Sequence, residues 1–432
     1  MKYVMAKNVR MHKGTESSIV SFIDRLDYVL ELNTIGAEIL ELCDGNNCID
    51  DIRIKLLDEY DSSEKEVDNV INDFISNALA ERIVEIYDGT VSVNRNITGS
   101  FLVDAPMSLS LEVTKKCPMR CIHCYVDAQP NNNLYIPYED ISKVLDEASK
   151  MGVFSIMLTG GEIFEHKDIL KIIEIYAPKF NKFILNTSGF YINDDIIKVI
   201  KKNVTQVRIS LDGDKEIHNQ IRNNPKAYDS AINAISRLSS NDINTAVIMT
   251  ITKINMHQIE YVANLAKTIG AKSFEYGFVL GLGRCDKELE LTTEETICLN
   301  HKASQLKKEL NSESFSIVSR EDAYREITKH YKPVNCGAGF SQISILADGD
   351  VVPCLTMPIH LKMGNIYNGT LTDILCSELS SKMKKLKSPP TDECIDCKDK
   401  DVCAGCFAKA LLVNPNCKWS EKFKVGCGIT NV

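Results

Sequence analysis

Three cysteines crowd into the eight residues CPMRCIHC, which run from Cys117 to Cys124. Nine more of the 16 cysteines lie between Cys336 and Cys427. Because the sequence shows no export signal, we expect the thiols to stay reduced, and reduced thiols this close together are usually metal ligands. Soft thiolates favour zinc or iron–sulfur clusters. The isolated cysteines are instead expected to be buried apolar residues: Cys43, Cys48, Cys285 and Cys298.

The composition is that of an ordinary globular protein. The 432 residues are 44% apolar and 25% charged, which is consistent with about two to four domains. No apolar run approaches the length of a membrane span, so we expect a cytoplasmic chain without a membrane partner. The net charge of -9 argues against nucleic acid as a partner, since phosphate binding needs a basic face.

From Ser108 to about Leu280 the sequence alternates strand and helix patterns. Six strand patterns, SLSLEVT, FSIMLTG, KFILNTS, QVRISLD, TAVIMTIT and SFEYGFVL, are separated by stretches such as YEDISKVLDEAS, NDDIIKVIKKN and YDSAINAISRLS. This alternation predicts an α/β fold with a parallel sheet, closed or partly closed as a barrel. Chemistry collects at the carboxyl ends of barrel strands. Those ends carry the residues from Cys117 onward and residues 159–162, 186–188 and 210–213.

This combination resembles the radical S-adenosylmethionine superfamily, whose hallmark is three cysteines of this spacing after the first barrel strand. The resemblance implies a partial (β/α)6 TIM-like barrel in which Cys117, Cys121 and Cys124 bind three irons of a 4Fe-4S cluster. The fourth iron is then left for the amino and carboxylate groups of S-adenosylmethionine, whose cleavage gives a 5'-deoxyadenosyl radical. A zinc site with a distant fourth ligand is the alternative.

The same resemblance implies which residues bind S-adenosylmethionine. Gly160, Gly161 and Glu162 are expected at its amino group, because glycines allow close backbone approach and a carboxylate pairs with an ammonium. Ile163 stands where many family members have proline. The other expected contacts are Ser210 and Asp212 with the ribose and methionine tail, Arg222 with the carboxylate, and His123 near the adenine. Plain turns, a surface cation and a loop histidine are the alternative interpretations.

The C-terminal region contains CGAGFSQISILADGDVVPC, then CIDCKDKDVCAGC and NPNC. It resembles the SPASM extension, which holds two auxiliary 4Fe-4S clusters, so three clusters are expected in the whole chain. The resemblance assigns Cys336, Cys354 and Cys406 to the nearer cluster, and Cys394, Cys397, Cys403 and Cys417 to the outer one. A zinc ribbon would use only four of these seven cysteines.

Two features depart from the SPASM pattern. Cys403 and Cys406 are separated by two residues instead of the usual three. The nearer cluster also lacks an obvious fourth ligand, for which Cys285, Cys427 and a substrate thiolate are the candidates. An open iron that captured a substrate cysteine would direct the chemistry toward a thioether.

Residues 1 to about 95 alternate short strands with helices. SIVSFID and DYVLELN are predicted strands, Thr34 is predicted to cap a helix closed by Gly45, and Ser63 pairs with Glu66 in a capping box. A hairpin is predicted to turn at Asp88-Gly89. The helix after Ser63 is predicted to bury one apolar stripe: Val67, Val70, Ile71, Phe74, Ile75, Ala78 and Leu79.

These elements predict a winged-helix-like α+β domain. It resembles the peptide chaperone of pyrroloquinoline quinone biosynthesis, which implies a precursor peptide whose leader is taken up as an added strand. Asp51, Arg53 and Lys55 either line that groove or form an ordinary solvated helix face.

The sequence as a whole predicts a radical enzyme that matures a ribosomally made peptide, most simply by joining a cysteine sulfur to a carbon of another residue. Carbon–carbon crosslinking, sulfatase-type maturation, haem-pathway cleavage and a non-catalytic zinc or peptide scaffold are the alternatives. An electron donor such as flavodoxin or ferredoxin is an implied partner. The predicted domains are a leader-recognition domain at 1–98, the barrel at 105–285, a connecting helical region at 286–335 and the SPASM domain at 336–432.

Overall fold

The computed structural model describes residues 1–14, 17–22, 29–89, 96–100, 105–319, 335–357, 361–403 and 405–427. These residues form two compact units, one up to Ala105 and one from Pro106 onward. No helix among the described residues is both long enough and apolar enough to cross a membrane.

The first unit contains two small sheets and three helices. A four-stranded sheet has the order β4-β3-β2-β7, and a three-stranded sheet has the order β5-β1-β6. The strands are β1 (Lys2–Met5), β2 (Val9–Lys13), β3 (Ser17–Phe22), β4 (Val29–Asn33), β5 (Asp44–Cys48), β6 (Val84–Ile86) and β7 (Ile97–Gly99). The helices are α1 (Thr34–Leu42), α2 (Ile49–Glu59) and α3 (Glu64–Ala80).

The predicted apolar stripe of α3 is confirmed in its centre and wrong at two positions. Val67, Ile71 and Ile75 are buried in the core of the unit, whereas Val70 and Leu79 are 42% and 36% exposed. The capping box that starts α3 is present: Ser63 accepts from the Glu66 amide, and the Glu66 carboxylate accepts from the Ser63 amide. A helix that covers a small sheet buries only the residues that face the sheet, so a stripe of seven positions is too wide.

The predicted start and end of α1 are both wrong. Asn33, and not Thr34, caps the helix, since its side chain accepts from the Gly36 amide at 2.8 Å. The helix ends at Leu42, and the predicted stop at Gly45 lies within strand β5. Strand β6 pairs with β1. The second arm of the hairpin predicted at Asp88-Gly89 lies outside the described residues.

The second unit is built on a curved sheet of ten described strands, in the order β14-β13-β12-β11-β10-β9-β8-β15-β16-β17. All neighbours from β14 to β15 are parallel, and the last two pairs are antiparallel. The strands are β8 (Ser108–Glu112), β9 (Ser155–Thr159), β10 (Lys182–Thr187), β11 (Gln206–Ser210), β12 (Thr245–Ile251), β13 (Ser273–Phe278), β14 (Ser316–Ser319), β15 (Gln342–Ile345), β16 (Asp350–Val352) and β17 (Gly364–Asn365).

The six strand patterns predicted from the sequence are β8 to β13, which confirms the α/β partial barrel. Strand β14 follows a long helix in the region predicted to be helical and adds a further parallel strand. The helices are α4 (Tyr138–Lys150), α5 (Ile169–Tyr176), α6 (Asp194–Asn203), α7 (Lys215–Arg222), α8 (Ala227–Ser240), α9 (Ile259–Thr268), α10 (Thr293–Leu310), α11 (Leu371–Leu375), α12 (Glu378–Lys385), α13 (Lys400–Cys403), α14 (Phe407–Val413) and α15 (Lys418–Cys427).

The cysteine-rich region shares the barrel sheet. Strand β15 pairs in parallel with β8, with Ile345 beside Leu111. Cys336 lies before β15 and Cys354 lies after β16, so this hairpin carries one cysteine at each end. Of the four isolated cysteines, Cys43 and Cys285 are buried as predicted, Cys48 is half-buried, and the prediction is wrong for the exposed Cys298.

The cap of α1 gives a first test. Removing a side-chain N-cap typically costs about 1 kcal/mol, so Asn33→Ala is expected to speed amide exchange in the first turn of α1 about fivefold. Hydrogen–deuterium exchange mass spectrometry of peptides spanning residues 33–37 measures this. Thr34→Ala is the matched control and is expected to leave the rate nearly unchanged; the reverse order would show that Thr34 is the cap.

Candidate active site

The three N-terminal cysteines lie together on the loop that follows β8. Cys117 and Cys121 are buried, and Cys124 is half-buried. Burial raises the pKa of Cys117, and the nearby charges of Glu162, Cys121 and Cys124 add to that rise. Cys117 and Cys121 belong to one apolar cluster and Cys124 packs against it, so the three thiols share one site.

Gly160 and Gly161 join the end of β9 to the start of the cysteine loop. The Gly161 amide donates to the Thr114 carbonyl at 2.6 Å, and the Glu162 amide donates to the Lys116 carbonyl at 2.9 Å. Gly160 has φ +143, and a Cβ at this position would collide with the carbonyl oxygen of Thr114. A Cβ at Gly161 would collide with the carbonyl oxygen of Lys116. The two glycines are therefore required here for close approach between protein backbones.

Glu162 is completely buried and ties β9 to the end of β10. Its carboxylate accepts from the Thr187 hydroxyl at 2.6 Å and from the Ser188 amide at 2.8 Å, and it also contacts the Ser188 hydroxyl. Burial raises the pKa of Glu162, although these hydrogen bonds oppose the rise. The sequence predicted Glu162 without its two hydroxyl partners, which lie about 25 residues further along the chain.

A second polar group is centred on Asp212, just after β11. This fully buried carboxylate lies 2.7 Å from Arg222 Nε and 3.3 Å from His123 Nε2, and it accepts from the Thr250 amide at 3.1 Å. Burial opposes ionisation, but the Arg222 guanidinium holds the pKa of Asp212 well below its ordinary value. Ser210 is half-buried at the end of β11, two residues before Asp212.

Arg222 joins the Asp212 group to the cysteines. Its Nη1 lies 3.8 Å from Cys121 Sγ. Burial lowers the pKa of Arg222, but the charges of Asp212 and Cys121 outweigh that effect and raise it. Arg222 was predicted to contact the carboxylate of S-adenosylmethionine. In this structure it pairs with the carboxylate of Asp212.

His218 belongs to this group and was missed by the sequence analysis. Its Nδ1 accepts the Asp212 amide at 2.9 Å, and burial, with the nearby Arg222 charge, lowers the pKa of His218 to about 3. The imidazole is therefore neutral near pH 7. His218 and Arg222 are four residues apart on α7, a spacing that places both on one helix face. That spacing was the available signal.

The C-terminal cysteines divide into two groups. Burial raises the pKa of Cys406 to about 12, with Cys336 and Cys354 among the charges that add to the rise. Burial likewise raises the pKa of Cys403 to about 12, with contributions from Cys397 and Cys417. Cys394 is buried in an apolar cluster against which cysteines of both groups pack, so this cluster does not assign it to either group.

The two candidate protein ligands for the nearer group lie in different places. Cys427 Sγ is 3.6 Å from Met383 Sδ, and Lys382 is the charge that acts on its thiol. Cys285 lies on the loop after β13, where burial and the charges of Glu290 and Asp286 raise its pKa to about 11. Cys427 packs against the same apolar cluster as Cys336 and Cys354.

The donor chemistry of these groups fits iron–sulfur clusters. Each group offers thiols alone, and cysteine thiolates are the usual ligands of such clusters. Among the described residues, no three His, Cys, Asp or Glu side chains surround a single point as the ligands of one metal ion would. Cys117, Cys121 and Cys124 would hold one cluster, and the two C-terminal groups would hold the others.

Three family models match separate parts of the chain. Residues 111–266 match the radical SAM superfamily, where SAM stands for S-adenosylmethionine. Residues 336–398 match an iron–sulfur cluster-binding domain, SPASM. Residues 18–84 match coenzyme PQQ synthesis protein D, PqqD. The matches follow the order of the three regions predicted from the sequence.

Two curated relatives match different amounts of the chain. The antilisterial bacteriocin subtilosin biosynthesis protein AlbA of Bacillus subtilis is 26% identical over 96% of this chain and 95% of its own length. An AdoMet-dependent heme synthase of Methanosarcina barkeri is 25% identical over 72% of this chain and 93% of its own length.

A solved structure has the same fold. Streptococcus suis SuiB bound to its precursor peptide SuiA superposes with a TM-score of 0.69 at 15% identity, over 95% of this chain and 96% of that one. The chain thus combines a PqqD domain, a radical SAM domain and a SPASM domain, and these matches together with the bacteriocin biosynthesis relative support a peptide-modifying radical SAM enzyme.

Proposed function

We propose that this enzyme joins a cysteine sulfur of a precursor peptide to a carbon of another residue of the same peptide. The observation that supports this reaction is the group of Cys336, Cys354 and Cys406. It offers three thiols where a 4Fe-4S cluster normally takes four, and a substrate thiolate supplies the missing ligand. The sulfur that is to be alkylated is thereby held close to the site of radical chemistry.

The proposed roles of the site residues follow from two groups of three thiols, one near the start of the barrel and one in the C-terminal region. Cys117, Cys121 and Cys124 hold the cluster that binds S-adenosylmethionine, and together these supply a radical able to remove a hydrogen atom from carbon. Arg222 and Asp212 fix one side of this site and Glu162 the other. The substrate loses one hydrogen from carbon and one proton from sulfur, and the remaining electron passes to the SPASM clusters.

The domain content favours a peptide over a porphyrin substrate. The heme synthase relative matches 72% of the chain, whereas the bacteriocin biosynthesis protein matches 96%. Haem-pathway chemistry has no need of a PqqD domain, and this chain carries one at residues 18–84. Carbon–carbon crosslinking of a peptide is the remaining alternative, and it differs in leaving the cysteine thiol free.

We place the leader peptide on strand β4. Among the described strands, β4 lies at one edge of its sheet, paired on one side with β3 through Leu32 opposite Ser18. An edge strand can take up a further strand through main-chain hydrogen bonds. The side chains predicted either to line the leader groove or to form a solvated helix face bond within the unit. Asp51 accepts from the Cys48 amide, Arg53 pairs with Asp50 and Asp68, and Lys55 donates to Asn47.

Leader binding is testable without the radical reaction. Adding a synthetic leader, taken from a cysteine-rich peptide encoded beside this protein, is expected to slow deuterium exchange in residues 29–33. The reason is that added strand hydrogen bonds protect the amides of β4. Strand β6, an edge of the other sheet, is the internal control. Protection of β6 with none at β4 would place the leader elsewhere.

The three clusters predict an iron content. After anaerobic reconstitution we expect about twelve irons per chain, and about eight in the triple variant Cys117→Ala, Cys121→Ala, Cys124→Ala. Cys298→Ala, which removes an exposed and isolated cysteine, is the control and is expected to keep about twelve. About four irons or fewer in the unsubstituted protein would contradict the assignment of the SPASM cysteines.

The reaction predicts a change in peptide mass. Anaerobic incubation of the full precursor with the enzyme, S-adenosylmethionine and a reductant is expected to remove two hydrogens per link. The linked cysteine is expected to resist alkylation by iodoacetamide, because its sulfur is already bonded to carbon. A precursor with that cysteine replaced by alanine is the control. If the peptide loses the same mass but its cysteine still reacts with iodoacetamide, the link is between two carbons.

A further inference from the structure

The loop after β13 crosses the mouth of the barrel to reach the cysteine loop. In the sheet, β13 and β8 are separated by four strands, yet the loops that follow these two strands are in contact. The crossing segment has the sequence GLGRC, residues 281–285. It meets the cysteine loop at Cys124, where the Arg284 amide donates to the Cys124 carbonyl at 3.0 Å.

Gly283 allows this approach. It has φ +59, and a Cβ at this position would collide with the carbonyl oxygens of Cys124 and Tyr125. Both the backbone conformation and the lack of space favour glycine. The backbone of the crossing segment thus lies directly against the backbone of the third cysteine.

The Arg284 side chain binds backbone carbonyls on both sides of Cys124 in the sequence. Its Nε donates to the Cys121 carbonyl at 3.0 Å, and its Nη2 donates to the Ala128 carbonyl at 2.6 Å. Nη1 lies 3.0 Å from Asp127 Oδ1. A planar guanidinium presents these donors in one rigid fork, which a lysine cannot reproduce. The Arg284 side chain is 17% exposed, so its bonds to the two carbonyls are largely shielded from water, whereas Asp127 is 65% exposed.

We propose that Arg284 is a positioning residue that fixes the loop from Cys121 to Ala128, and with it two of the three thiolates expected to hold the S-adenosylmethionine-binding cluster. The proposal rests on the assignment of that cluster to Cys117, Cys121 and Cys124. Arg284 contacts loop carbonyls and Asp127, so it acts through the loop. This role differs from that of Arg222, which approaches the Cys121 sulfur itself.

The test compares three variants of the full-length, reconstituted protein. Arg284→Ala removes the fork, and Arg284→Lys keeps the charge while losing the fork. Arg237→Ala is the matched control, because Arg237 also bonds a carbonyl, that of Ile192, and a carboxylate, that of Asp194, but on the outer helices. The readouts are the rate of iron loss to a chelator and the change that S-adenosylmethionine causes in the electron paramagnetic resonance spectrum of the reduced protein.

Loss of the fork is expected to loosen one cluster of three. In Arg284→Ala, about one third of the iron is expected to be lost to the chelator faster than in the unsubstituted protein. The expected increase in rate is about tenfold to a hundredfold, which is usual when a group that orients metal ligands is removed. The spectral change caused by S-adenosylmethionine is expected to weaken or vanish. Arg284→Lys is expected to fall between, and Arg237→Ala to match the unsubstituted protein.

The outcomes separate this inference from the proposed function. If the unsubstituted protein shows no spectral response to S-adenosylmethionine, the cluster assignment itself fails. If it responds and both Arg284 variants respond equally well with unchanged iron loss, the positioning role is wrong. Should Arg284→Ala not fold, Arg284→Lys decides: full retention of both properties in that variant would overturn the proposal.

Discussion

The ion pair between Asp212 and Arg222 is the interaction on which the candidate active site depends most. Asp212 is fully buried and the Arg222 side chain is 11% exposed, so the Asp212 carboxylate has lost its water and is stabilised mainly by Arg222. Removing one member of such a pair leaves an uncompensated buried charge, which typically costs about 3–5 kcal/mol. The pair also fixes its neighbours, since His123 and His218 contact Asp212 and Arg222 reaches Cys121. One electrostatic contact therefore orders the loop after β11, helix α7 and the cysteine loop together.

The surroundings of the three thiols are unequal as a result. Cys121 lies beside the Arg222 guanidinium, and Cys117 lies in the field of the Glu162 carboxylate. A cluster held by these thiols would have the Arg222 guanidinium, paired with Asp212, on one side and the Glu162 carboxyl group on the other.

The sequence was sufficient for what is local and insufficient for what is distant. Strand and helix periodicity located β8 to β13 because each pattern is contained within one element. The N-cap of α1 was placed one residue late, since Asn33 and Thr34 are both good capping residues and only the backbone conformation distinguishes them. Arg284 was not found at all, because it lies 163 residues from the Cys121 carbonyl that it binds. The hydrophobic periodicity of a sequence does not indicate which distant residue will donate a hydrogen bond to a given backbone carbonyl.

Strand β8 connects the N-terminal and C-terminal cysteine groups. Cys117 follows the end of β8 by five residues. Strand β15 pairs in parallel with β8, and the hairpin of β15 and β16 is flanked by Cys336 and Cys354. At the end of β8 lies the buried Glu112, and burial raises the pKa of this carboxyl group to about 7. Backbone pairing in a sheet fixes separation more firmly than side-chain contacts do, because both strands share one ladder of hydrogen bonds. The register of β8 and β15 therefore constrains the spacing between the two cysteine groups.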